Sequence, residues 1–250
     1  MRILRLSNSN DINARIPPER RMGSVVKALL EERLQETVEV QTRLLWPTPR
    51  CPELVSGWAE EFEPDIVYFL LSEYWTTYES VPLMLRRRFG RVGARLARLG
   101  KDSANTPWFA ENAVFHRARN LAVRTIGGAT PFTVDEALAA IEATVRLLAR
   151  REETVIVVRG PAKAMNSGGD KAGLRRNEKR LASFSAGAQA IAERYRTEWL
   201  TFPAHLEHDA DPSVLLGDRI HRNEEGHLAI ALAEAETLSA IWARLNRSRP

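Results

Sequence analysis

Short apolar runs alternate with long amphipathic segments along most of the 250 residues, and this alternation constrains the fold more than any other feature. "RILRL" (2–6) predicts a first strand, "MGSVVKALLEERLQE" (22–36) a helix and "VEVQTRLL" (38–45) a second strand. "PELVSGWAEEF" (52–62) has helical spacing, and "PDIVYFLL" (64–71) is an almost unbroken apolar run after a Pro-Asp turn. Such a run suits a strand buried on both faces of a parallel sheet. "TVDEALAAIEATVRLLARR" (133–151) opens with Thr133 and Glu136, the spacing of a capping box. "ETVIVV" (153–158) is a fourth strand, "GLRRNEKRLASFSAGAQAIAERY" (173–195) a long helix, "EWLTF" (198–202) a fifth strand and "NEEGHLAIALAEAETLSAIWARL" (223–245) a final helix.

Strands joined through helices imply parallel pairing, with helices on both faces of the sheet. Every strand then ends on the same edge, where such folds bind ligands. The segments leaving that edge are "SNSND", "WPTPR", "SEYWTTY", "RGPAKAMNSGG" and the later "GDRIHRN". They bring a hydroxyl, an acid and an imidazole from opposite ends of the chain to one place. Serine-based acyl transfer needs these three groups: a reachable hydroxyl, a neutral imidazole to take its proton, and a carboxylate to orient the imidazole. Ser9 follows the first strand, and Asp218 and His221 precede the last helix.

In these blocks the sequence resembles the SGNH (GDSL-type) hydrolases. That family carries its nucleophile in a Gly-Asp-Ser turn after the first strand, here Ser7-Asn8-Ser9, and its base in an Asp-x-x-His motif before the last helix, here Asp218 to His221. Asn223, Gly226 and His227 complete the second block. The resemblance implies a flavodoxin-like three-layer α/β/α sandwich with a five-stranded parallel sheet; the chain's own pattern adds a large insertion after strand three. It implies hydrolysis of a carboxylic ester (acyl, acetyl or lipid) of a small molecule by Ser9, His221 and Asp218, with no cofactor and no metal.

The chain departs from the pattern at the oxyanion positions. The family's second-block Gly falls at Leu45-Trp46-Pro47, and its third-block Gly-x-Asn at Ser72-Glu73-Tyr74. Removing one oxyanion donor typically costs ~10²–10³ in rate. Replacement donors are the N–H groups of Ser9, Leu45 and Trp46, the Tyr74 phenol and Asn10, whereas Pro47 has no N–H to give. The alternative the departures raise is a catalytically weak or inactive binding protein on the same fold.

Asn10, Ser72, Glu73, Trp75 and Asn166 are the substrate-contact candidates, all beside the strand ends. Trp75 is equally suited to packing, and the "MNSGGDKAG" segment around Asn166 reads first as a surface loop. Asn223 reads as the N-cap of the last helix and His227 as a structural residue of its first turn.

Residues 75–132 break the alternation and read as an insertion or lid within a single domain spanning 1–250. The stretch 84–101 is rich in Arg without acids. It reads as a solvated helix face, with contact to an anionic membrane surface as the lesser alternative. A net charge of +4 does not by itself argue for nucleic acid. A single cysteine excludes an intrachain disulfide and a Cys-based zinc site, and the simplest setting is the reducing cytoplasm. Nothing in the sequence fixes the oligomeric state.

Overall fold

The computed structural model describes residues 1–90, 113–165, 169–207, 212–216 and 221–248. Asp218, Asn166 and most of the basic stretch 84–101 lie outside them.

Five strands form one sheet: β1 (Arg2–Ser7), β2 (Glu39–Leu44), β3 (Ile66–Leu70), β4 (Val155–Arg159) and β5 (Glu198–Leu200). Their order is β2-β1-β3-β4-β5 and every pairing is parallel. The helices are α1 (Met22–Leu34), α2 (Cys51–Phe62), the short α3 (Tyr74–Thr77), α4 (Ala113–Ile126), α5 (Val134–Leu148), α6 (Lys171–Arg194) and α7 (Glu224–Ser248). Residues 81–90 are also helical.

Side chains alternate across the pleat and sort the core into two layers. Leu4, Leu6, Val67, Phe69, Ile156 and Val158 face α2, α5 and α6. Ile3, Ile66, Tyr68, Leu70 and Val157 face α1 and α7. All five residues of β3 are buried, which is why that strand reads as a continuous apolar run. The sequence expectation of a flavodoxin-like sandwich therefore matches the architecture, with boundaries shifted by a residue or a few.

Local chemistry sets several helix ends. Thr133 accepts from the Glu136 N–H at 3.1 Å while the Glu136 carboxylate accepts from the Thr133 N–H at 2.7 Å, a complete capping box. Asn223 caps α7, its Oδ1 accepting from the Gly226 N–H at 3.0 Å. Gly226 is required for close approach: a Cβ there would stand 2.5 Å from the Val214 carbonyl oxygen. The start of α7 is thereby seated directly on the loop that carries His221. Among the described residues no helix is long and apolar enough to cross a membrane.

Candidate active site

β1 ends at Ser7, and the chain turns at once. The Asn8 side chain accepts from the Asn10 N–H at 3.0 Å, and the Asn8 carbonyl accepts from the Asp11 N–H at 3.2 Å. This side-chain-closed turn leaves Ser9 exposed at its tip. At the other end of the chain, residues 214–216 and 221–223 form a small antiparallel bridge, Leu215 opposite Arg222. Leu216 donates to the His221 carbonyl at 2.7 Å, and Asn223 to the Val214 carbonyl at 3.0 Å. The bridge holds His221 out toward the turn, where its Nε2 lies 3.1 Å from the Ser9 Oγ. That separation is within reach of proton transfer.

The turn rests on a buried charge network that sequence reasoning missed. The Ser7 hydroxyl donates to the Asp11 carboxylate. Arg5 donates through Nε to the same carboxylate at 2.6 Å and through Nη1 to Glu234 of α7 at 2.5 Å. Arg159, at the end of β4, donates to the other Glu234 oxygen. Burial alone would lower the Arg5 pKa, but Asp11 and Glu234 outweigh it and hold the guanidinium above its ordinary value. A small cavity of about 20 Å³, room for about one water molecule, lies among Ser7, Asn10, Asp11, Glu73, Arg159 and Arg222. The legible signal was Arg5 and Arg159 within otherwise apolar strands, a placement that requires buried partners.

The candidate oxyanion positions carry aromatic rings. Trp46 meets Tyr74 edge-on with centroids 6.1 Å apart and lies 6.0 Å from Phe132. Tyr74 stacks on Tyr78 at 4.5 Å. Burial, reinforced by neighbouring Tyr78, raises the Tyr74 phenol pKa, so it stays protonated at neutral pH. Among the described residues, the Ser9 and Trp46 N–H groups have no hydrogen-bond partner, while the Leu45 N–H is used on the Ser7 carbonyl at 2.8 Å.

The remaining candidates divide by burial. Of the two roles open to Trp75 in sequence, packing is the one its position allows: it is 1% exposed and meets Phe184 at 6.3 Å. Ser72 is likewise buried, its hydroxyl accepting from the Tyr74 N–H at 3.3 Å. Glu73 is buried beside Arg222, whose guanidinium pKa is lowered by burial and partly restored by that carboxylate. Asn10 places its Oδ1 on the Arg222 N–H at 2.9 Å. His227 is fully buried and accepts from the Met22 N–H through Nδ1 at 3.0 Å, tying α7 to α1 as a structural residue.

The sheet order and the edge on which these groups gather define a three-layer α/β fold of the kind seen in solved SGNH (GDSL-type) esterases. No family model matches the chain, and no curated protein matches its sequence. Solved structures do match in fold. A psychrotrophic esterase from Pseudoalteromonas sp. is 12% identical with a TM-score of 0.57, covering 98% of both chains. A carbohydrate acetylesterase from Sinorhizobium meliloti is 13% identical with a TM-score of 0.55, covering 96% of this chain and 99% of its own. A lipolytic protein assigned to the G-D-S-L family, from Desulfitobacterium hafniense, is 11% identical with a TM-score of 0.52 over 94% of this chain and 98% of its own.

Proposed function

We propose that the chain is a serine ester hydrolase acting on a small carboxylic ester. The observation that carries this reading is the 3.1 Å separation of the Ser9 hydroxyl from His221 Nε2. Ser9 attacks the ester carbonyl as His221 takes its proton. The tetrahedral oxyanion is held by the Ser9 and Trp46 N–H groups, with the Tyr74 phenol close to the same edge. His221 then protonates the departing alcohol, and water repeats the sequence on the acyl-enzyme. Asp218, three residues before His221, is assigned the orienting role. Cys51 is buried, and a reducing, cytoplasmic setting agrees with it.

The aromatic contact between Trp46 and Tyr74 favours a second reading. Rings packed where the family keeps small or amide residues suit a protein that binds on this edge without efficient turnover. A panel of p-nitrophenyl esters of increasing acyl length separates the two. Hydrolysis above the Ser9→Ala background on any member supports the enzyme; background rates across the panel with a folded protein support the binding protein.

A further inference from the structure

We infer that Asn10 is a positioning residue that locks the base loop onto the nucleophile turn, an assignment that rests on the serine-hydrolase reading above. Ser9 and His221 are paired at 3.1 Å, and the residues that follow each of them, Asn10 and Arg222, are paired at 2.9 Å. The two contacts lie side by side across the same junction. Asn10 is itself held on both sides: its N–H donates to Asn8 Oδ1 at 3.0 Å and its carbonyl accepts from the Asn13 N–H at 3.3 Å. The acceptor offered to Arg222 is thus fixed to the turn that presents Ser9.

Arg222 is fixed as firmly. It is 2% exposed, its guanidinium donates to the Leu206 carbonyl, and it lies over the Phe202 ring at 5.9 Å. His221 is therefore held through its own carbonyl by Leu216 and through the next N–H by Asn10. Losing the second hold frees the loop to shift relative to Ser9, and a displacement of about 1 Å at such a site costs ~10²-fold. Asn10 needs no contact with the substrate for this role.

The test compares wild type with Asn10→Ala and Asn10→Asp. Asp keeps a side-chain oxygen to accept the Arg222 N–H; Ala does not. The readouts are the rate of labelling by a fluorophosphonate probe across pH, the Tm, and the ring ¹⁵N signals of His221. The expected result is labelling slowed ~10²-fold in Asn10→Ala, with the pH midpoint unmoved and the fold retained. Asn10→Asp should recover most of the rate. Equal labelling of wild type and Asn10→Ala overturns the assignment. If wild type itself does not label, the hydrolase reading fails and the His221 ring signals decide the clamp separately. Broadening in Asn10→Ala but not in Asn10→Asp upholds it, and unchanged signals overturn it.

Discussion

Arg5 Nη1 lies 2.5 Å from Glu234 Oε2, joining the first strand to the last helix through a side-chain pair with almost no exposure. Glu234 also takes Arg159 and Asp11 takes Arg5, so Glu234 bridges two buried guanidiniums in a network of two carboxylates and two arginines. Removing one partner of such a pair costs about 3–5 kcal/mol, because the charge left behind stays desolvated. Glu234→Ala is expected to lose that much in urea unfolding, and Glu234→Gln less. A loss under about 1 kcal/mol for Glu234→Ala would show that the network is not a stability determinant.

His227 sets a pH dependence of stability. Burial lowers its pKa below the ordinary histidine value, with Asp11 partly opposing. The folded state therefore binds this proton less readily than the unfolded chain. The stabilisation is fully present above the unfolded pKa of about 6.5 and is lost as pH falls below it toward the depressed folded value. Wild type is expected to lose Tm between pH 7 and pH 5 more steeply than His227→Gln. Parallel Tm profiles would remove His227 as the cause.

The extent to which this was legible in sequence depends on how local each interaction is. The capping box at Thr133 and Glu136, the Asn223 cap and the buried run of β3 are decided within a few residues, and all three read correctly. The parallel sheet followed from the alternation of strands and helices, and the placing of Ser9 and His221 on one edge from the block resemblance and the parallel-edge rule. Arg5 with Glu234 could not be read, because the partners are 229 positions apart and a charge in a strand names no partner. Trp75 was ambiguous for a similar reason: whether a ring at a strand end turns inward depends on Phe184, far along the chain.

The oxyanion assignment makes a prediction about backbone chemistry. Trp46 precedes Pro47, which biases it toward an extended conformation that proline also adopts. Trp46→Ala keeps the N–H and should still react with the probe. Trp46→Pro removes it and should lose ~10²–10³ in labelling rate at a similar Tm. Equal rates in the two variants would exclude the Trp46 N–H as a donor.

Gly226 links packing to the site. A methyl group there meets the Val214 carbonyl at 2.5 Å, and Val214 accepts from the Asn223 N–H two residues after His221. Gly226→Ala should displace the base loop and slow labelling more than it lowers Tm. A variant with wild-type labelling would mean that the loop accommodates the methyl without moving His221.

The central claim is that Ser9 is a nucleophile activated by His221. Its most direct test is mass spectrometry of the folded protein after fluorophosphonate treatment, with His221→Ala alongside. The account predicts one phosphonyl adduct, on the peptide that carries Ser9, absent from His221→Ala. No adduct on folded wild type, or an adduct elsewhere, would contradict it.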